Sequence, residues 1–392
     1  MLKKQVIIIG AGAAGLMCAI EAGKRGREVL VIDHANKAGK KILMSGGGRC
    51  NFTNFDVMPK NFISHNPKFC KSALSRYTPA DFIKLVESYD IPYHEKTLGQ
   101  LFCDNKSKDI LNMLLAECDN AGATIQLKTE VTNITKHEDG FVLETDNKTY
   151  QCQSLVIASG GLSIPTMGAG PFGYKIAEQF GIKVWPTRAG LVPFTLHEHD
   201  KNKFEALSGV SASCSVTCNK QSFAENLLFT HRGVSGPAML QISSYWHPGD
   251  EVQVKLYPED DLLEFLKGQH QQKVNTTLKK ILTPLFPNSL IQVWLDEVVL
   301  TKKLQDCSFK VLADIARKFQ NWHLKPNATE GYRTAEVTLG GVDCDAISSQ
   351  TFEAADAKGL YFIGEVLDVT GWLGGYNFQW AWASGFAAGQ VV

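Results

Sequence analysis

Lys4-Gln5-Val6-Ile7-Ile8-Ile9-Gly10-Ala11-Gly12-Ala13-Ala14-Gly15 is the stretch that decides the fold. Lys4 to Ile9 reads as a buried parallel strand, an almost unbroken apolar run. Leu16-Met17-Cys18-Ala19-Ile20-Glu21-Ala22 follows with a helix pattern, and a second strand, Glu28 to Ile32, ends in Asp33. Strand, G-x-G-x-x-G turn, helix, strand and acid in this order make the dinucleotide-binding fingerprint in the context it requires. Gly10 permits the tight turn. Gly12 has no side chain, so a pyrophosphate can approach the backbone, and Gly15 lets the helix pack closely on the sheet. The helix start at Ala13 and Ala14 offers free N–H groups and a partial positive charge to the phosphates. Asp33, eighteen positions beyond Gly15, suits the ribose hydroxyls. The fingerprint alone does not separate FAD from NAD.

Later segments select FAD. Gly39-Lys40-Lys41-Ile42-Leu43-Met44-Ser45-Gly46-Gly47-Gly48-Arg49-Cys50-Asn51-Phe52-Thr53-Asn54 is a glycine run followed by Arg-Cys-Asn and hydroxyl and amide residues. It suits close backbone approach to a large planar ligand, with Lys41, Gly47, Gly48, Arg49, Asn51 and Thr53 as candidate contacts. Arg49 can pair with pyrophosphate and Asn51 with a flavin edge. The alternative is a flexible surface loop, which the clustered Met44, Cys50 and Phe52 oppose. Near the other end, Gly359 to Ile363 reads as a short strand running into Gly364, Glu365 and Asp368. In two-dinucleotide-type flavoproteins such a strand returns to the first sheet and its acid holds the ribityl chain. Gly374-Gly375-Tyr376-Asn377 then opens a helix through Phe378 to Ala388, whose positive end can stabilise the charge of a reduced flavin; the alternative is a helix that only packs. Ser154 to Ala158 is a further strand, ending in Ser159-Gly160 on the pyrophosphate side. Thr124 to Val131 reads as one more strand, with the Val131 backbone as an adenine contact.

The chain has 392 residues, room for two or three domains, and a formal net charge of zero, which removes bulk attraction to nucleic acid or anionic membranes. The longest apolar runs fall short of the roughly eighteen residues of a membrane span, and the apolar start is too short for a signal peptide. Ten scattered cysteines form no disulfide framework, so the reading is a reducing cytoplasm. Cys214 and Cys218 lack a second ligand pair at metal-site spacing, and no metal is expected.

Ser45 to Asn54, Phe229-Thr230-His231-Arg232-Gly233-Val234-Ser235-Gly236-Pro237, and Gly364 to Asp368 with Gly374 to Asn377 together resemble the BaiN/RdsA family of NAD(P)/FAD-dependent oxidoreductases, flavoproteins of the YhiN type, along essentially the whole chain. The resemblance implies an α/β fold: a Rossmann-type, two-dinucleotide-binding-like FAD domain with inserted β-rich and helical domains. It also implies reduction of activated C=C bonds, either uridine to dihydrouridine in ribosomal RNA or a bile-acid enone. Gly99-Gln100-Leu101-Phe102-Cys103 departs from the family by lacking an arginine and a proline, and Met167 to Gly173 is less rich in Ser and Thr.

The expected division is 1–190 and 341–392 for the FAD domain, 191–257 with 326–340 for the β-rich insertion, and 258–325 for the helical one. No second phosphate-binding glycine motif and no redox Cys pair beside the first fingerprint appears, so NAD(P)H is expected to dock transiently and disulfide reductase chemistry is disfavoured. Reducing a polarised C=C needs a proton donor besides hydride. The candidates are His231 in its Gly/Ser-rich loop, Tyr376 at the start of the terminal helix, and Cys50; each has an ordinary packing role as its alternative. Lys267, Lys273, Lys279, Lys280, Lys302, Lys303, Lys310, Arg317, Lys318 and Lys325 form either an RNA-facing surface or an ordinary solvated helix face. The reading is a cytoplasmic FAD enzyme acting on uridine in RNA or on a small steroid-like enone. Two alternatives remain: a non-catalytic flavin sensor or RNA-assembly factor, and an oxidase or dehydrogenase running in reverse.

Overall fold

A computed structural model describes residues 1–146 and 148–392, which divide into two compact units: Met1–Arg188 with Val337–Val392, and Ala189–Glu336. In the first unit, Leu2–Ile9 lies between two parallel neighbours, Val29–Ile32 and Thr149–Ile157, in registers that bring Ile9 beside both Ile32 and Ile157. Thr124–Gln126 extends the sheet beyond Val29–Ile32, and Leu360–Phe362 extends it beyond Thr149–Ile157, all parallel. The last strand thus returns from the far end of the sequence, as a Rossmann-type sheet closed by both termini requires.

Thr149–Ile157 belongs to two sheet types at once. Its first half pairs antiparallel with Gly140–Thr145, which pairs in turn with Val131–His137; its second half lies in the parallel sheet. The burial follows the pairing: residues 149–153 alternate between buried and more open, and 154–157 are continuously buried. Antiparallel ribbons keep one wet face, whereas parallel strands are covered on both.

The helix Ala13–Lys24 is buried around most of its circumference and packs beside the terminal helix Tyr376–Gly389. At the far end Arg25 Nη1 donates to Gly389 O and Val392 O, both at 3.0 Å, meeting carbonyls that the helix end leaves without partners. Two fully buried tryptophans fix the terminal helix to its surroundings. Trp380 Nε1 donates to Gly364 O at 3.0 Å and Trp382 Nε1 to Phe52 O at 2.8 Å, so neither indole N–H is stranded in the core.

The strand expected over Thr124–Val131 is two strands. It ends at Gln126, turns through Lys128 at φ +53°, and restarts at Val131 on the antiparallel ribbon. Residues 337–340, expected with the β-rich insertion, lie in the strand Val337–Val342 of the first unit.

The second unit carries an antiparallel sheet in the order Trp322–Leu324, Val252–Leu256, Ser211–Cys218, Gln221–Phe229, Gly233–Ser235, Phe194–Thr195, Ala328–Thr329. Ser211–Cys218 alternates exposed and buried along its length, the signature of a half-covered strand. Helices occupy Leu262–Gln271, Leu278–Leu282, Asn288–Trp294, Glu297–Leu300 and Phe309–Gln320. The helix expected over Leu290–Val299 breaks because Leu295 is extended and Asp296 starts a new turn. Phe204, Phe229, Trp294, Phe319 and Trp322 form an aromatic cluster in this unit. Among the described residues no helix is long and apolar enough to cross a membrane.

Candidate cofactor site

At the carboxyl ends of the parallel strands the first fingerprint folds as its glycines dictate. Gly10 sits at φ +116°, and a Cβ there would overlap the Ala158 carbonyl, so the turn closes only with glycine. Gly12 is the N-cap of the first helix and carries no side-chain cap; a Cβ on it would meet nothing within 4 Å. An open cradle therefore faces helix N–H groups around Ala13, Ala14 and Gly15 that have no intrahelical acceptor. Beside it the Ser159 hydroxyl is buried without a hydrogen-bond partner among the described residues, at the turn that continues into Gly160. An open backbone cradle and a stranded hydroxyl are what a bound pyrophosphate would fill and satisfy, so these residues fit FAD.

Asp33 has a structural task as well. Its carboxylate accepts from Ala11 N at 2.7 Å and from Ala35 N at 2.8 Å, bracing the glycine turn from behind. Each oxygen keeps a lone pair for a ribose hydroxyl. Thr129 N donates to Asp33 O and Lys128 N to Ala35 O, which draws the turn before Val131 up to the end of the second strand.

The two C-terminal carboxylates have different surroundings. Glu365 faces the turn at Gly160 and Gly161 and is ringed by donors: Lys41 Nζ at 2.7 Å, Thr338 N at 3.0 Å and Ser163 Oγ at 3.2 Å. Lys41 also donates to Ser163 Oγ at 2.7 Å. Asp368, expected beside Glu365 as a ribityl contact, is 3% exposed and accepts from His65 N at 2.7 Å and His65 Nδ1 at 2.8 Å. Burial pushes the Asp368 carboxyl up, and the His65 donors act against that shift. The His65 ring stacks on Trp185 with centroids 3.7 Å apart.

Asn51–Asn54 forms a short strand that joins the glycine loop to the terminal helix. Asn51, with its amide turned to match its neighbours, accepts from Gly375 N at 3.2 Å, and Asn54 Nδ2 donates to Gly374 O at 2.9 Å. Gly375 is at φ +93° and a Cβ would overlap Thr53 O, so the helix start sits directly on this strand. Arg49 is exposed and makes no ion pair among the described residues, while Gly47 and Gly48 hold the loop in left-handed turns ahead of it.

Four expected site residues have inward partners or surroundings. Thr53 is fully buried and its hydroxyl donates to Gln379 Oε1 at 2.7 Å, which makes it a tie to the terminal helix. The Asn377 amide closes the turn at Gly371, accepting from its N–H at 2.8 Å and donating to its carbonyl at 2.9 Å. Cys50 is fully buried at φ +52°, and burial pushes its thiol up to about 12. Tyr376 is nearly buried, edge-on to Phe62 and Trp372. His231 belongs to the second unit and is exposed in a tight turn that the Thr230 hydroxyl holds by accepting from Arg232 N and Gly233 N.

Ser163 and Thr338, both fully buried, escaped sequence reasoning. Nothing local marks either as a partner of Glu365, because the contacts cross 202 and 27 residues of chain.

A family model described as the HI0933-like protein Rossmann domain matches residues 4–391. The chain is 53% identical over 396 residues to the ribosomal RNA dihydrouridine synthase of Escherichia coli K12, covering 100% of this chain and 98% of that one. It is 52% identical over 393 residues to the protein of the same name from Haemophilus influenzae, with 98% of both chains covered. Identity to the 3-dehydro-bile acid delta(4,6)-reductase of Clostridium scindens is 28% over 407 residues, again with 98% of both covered.

Proposed function

Because the chain belongs to the HI0933-like Rossmann family, we propose that it is an FAD-dependent oxidoreductase reducing the activated C=C bond of uridine in ribosomal RNA to dihydrouridine, with NAD(P)H as electron donor, in the cytoplasm. The observation that carries this reading is end-to-end identity above half with the Escherichia coli synthase, while the bile-acid reductase stands much further off. A small-molecule enone is the second reading, favoured by the full-length alignment with that reductase.

When bound, FAD supplies two-electron hydride chemistry, accepting from a nicotinamide and delivering to a polarised double bond. The chain's own residues bind and orient it. The open cradle at Gly12 and the N–H groups of the first helix would hold the pyrophosphate, with the Ser159 hydroxyl and the Gly160 turn beside them. Asp33 would take the ribose hydroxyls, and the Val131 backbone would meet the adenine. Lys41, Glu365 and Ser163 would hold the ribityl chain, and the exposed Arg49 would meet a phosphate. The terminal helix, whose start Asn51, Gly374 and Gly375 fix, would offer its positive end to a flavin bound beside it.

Proton delivery needs a side chain in contact with solvent or substrate. Of the candidate donors, Cys50 is sealed in the core and Tyr376 nearly so, whereas the His231 imidazole is exposed on the second unit.

The test is the dihydrouridine content of ribosomal RNA from cells lacking the gene. Loss of a dihydrouridine, restored by the wild-type protein and not by a Gly12→Asp variant, is the expected result. Unchanged RNA would overturn the RNA assignment and leave the enone reading.

A further inference from the structure

In the second unit, tertiary contacts gather lysines that are far apart in sequence. Thr277 and Lys303 form an antiparallel bridge, Leu278 N donates to Lys302 O at 3.0 Å, and Leu304 N donates to Thr276 O at 2.9 Å. These contacts bring the segment carrying Lys273, Lys279 and Lys280 against the one carrying Lys302 and Lys303. Gln305 Nε2 donates to His270 O at 2.8 Å, and the His270 ring lies 5.2 Å from that of Phe309, which is 53% exposed and precedes Lys310.

None of these six lysines makes an ion pair among the described residues, whereas nearby Lys267 and Arg317 pair with Glu264 and Asp314 on their own helices. Residues 272–310 carry six lysines against three acids, Asp296, Glu297 and Asp306, an excess of three positive charges in a chain of zero net charge. Like charges held together raise the energy of the folded state, and a polyanion laid across them relieves it. The exposed Phe309 ring adds a flat apolar face, which stacks on an unpaired base. The lysines sit on loops and short helices; a lipid surface selects instead a long helix with one basic and one apolar face.

We infer that this surface, Lys273, Lys279, Lys280, Lys302 and Lys303 with Phe309 at its edge, grips the RNA substrate, the lysines on phosphates and the ring on a base. The inference rests on the RNA reading given above.

The test titrates a fluorescent ribosomal RNA transcript with FAD-loaded protein over a range of salt, beside vesicles of phosphatidylglycerol in phosphatidylcholine. A triple variant, Lys279→Ser, Lys302→Ser and Lys303→Ser, should lower the slope of log affinity against log salt by about 2 to 3, since each phosphate contact contributes roughly 0.7 to 0.9. Phe309→Ala should weaken binding on the order of ten-fold with the slope retained, because stacking releases no counterions. Both variants should keep their FAD and their NAD(P)H-driven flavin reduction, which shows that they fold. An unchanged slope in the triple variant, or a loss confined to vesicles, overturns the inference. Undiminished dihydrouridine formation by the triple variant also overturns the patch while the substrate assignment stands. RNA binding that depends on these lysines, with no dihydrouridine made by the wild type, supports the patch and sinks the assignment.

Discussion

Gly12→Asp separates the binding of FAD from the folding of the chain. Gly12 has φ −89°, open to any L residue, and a Cβ there meets nothing within 4 Å. It is also the N-cap of the first helix, a position where Asp is preferred over Gly by a few tenths of a kcal/mol. The apoprotein should therefore unfold in urea at the parent midpoint or slightly above it. The new carboxylate, however, points into the pyrophosphate cradle and competes for the same helix N–H groups. At about 4 Å from a phosphate charge, with an effective dielectric of about 20, the repulsion is about 4 kcal/mol, and about 1 kcal/mol if water screens it fully. With two phosphates involved, FAD affinity should fall on the order of a thousand-fold, read by flavin fluorescence titration of the apoprotein. Gly12→Ser, a neutral cap of similar size, should lose far less. Retention of parent affinity by Gly12→Asp would refute the placement of the pyrophosphate, and an apoprotein destabilised by more than about 1 kcal/mol would refute the reading of open space around Gly12.

Glu365→Gln should release Lys41 and weaken FAD binding several-fold, yet cost the apoprotein no more than about 1 kcal/mol because the pair is partly solvated; titration and urea unfolding of the same variant would check both. Trp382→Phe removes the donor to Phe52 O at little change in shape, and an unmet buried carbonyl costs about 1–3 kcal/mol, so both unfolding stability and FAD retention should drop together. Asp368 provides a pH test. Its folded-state carboxyl is raised by burial above the ordinary 3.8, so the folded chain holds the proton longer than the unfolded one, and stability falls as pH rises through that range. Asp368→Asn keeps an oxygen for His65 and should remove this slope; urea midpoints across acidic to neutral pH that run parallel for the two proteins would count against the buried-carboxyl account.

The glycine fingerprint was legible because everything it needs lies within thirty residues. Gly10, Gly12, Gly15 and Asp33 act through backbone conformation and local reach, which neighbours in sequence decide. Apolar runs likewise marked the strands at Val6–Ile9 and Leu360–Phe362, since a strand covered on both faces must be apolar throughout. Elsewhere local pattern was ambiguous. Polarity alone placed Thr53 at the cofactor, but its hydroxyl is satisfied by Gln379, 326 residues away, and only the seating of the terminal helix on Asn51–Asn54 reveals it. Asp368 and Glu365 look alike in sequence three positions apart, and His65 is what separates their roles.

The sequence by itself determined the Rossmann-type core, the position of the glycine turn and the return of the last strand, because short-range sterics and the period of apolar residues specify them. Tertiary structure alone decided which polar groups ring the open glycine cradle and which are consumed inside, and which lysine-bearing segments meet. Those outcomes depend on contacts such as Lys41 with Glu365, 324 residues apart, where each partner's chemistry is set by a neighbour that only the folded chain supplies.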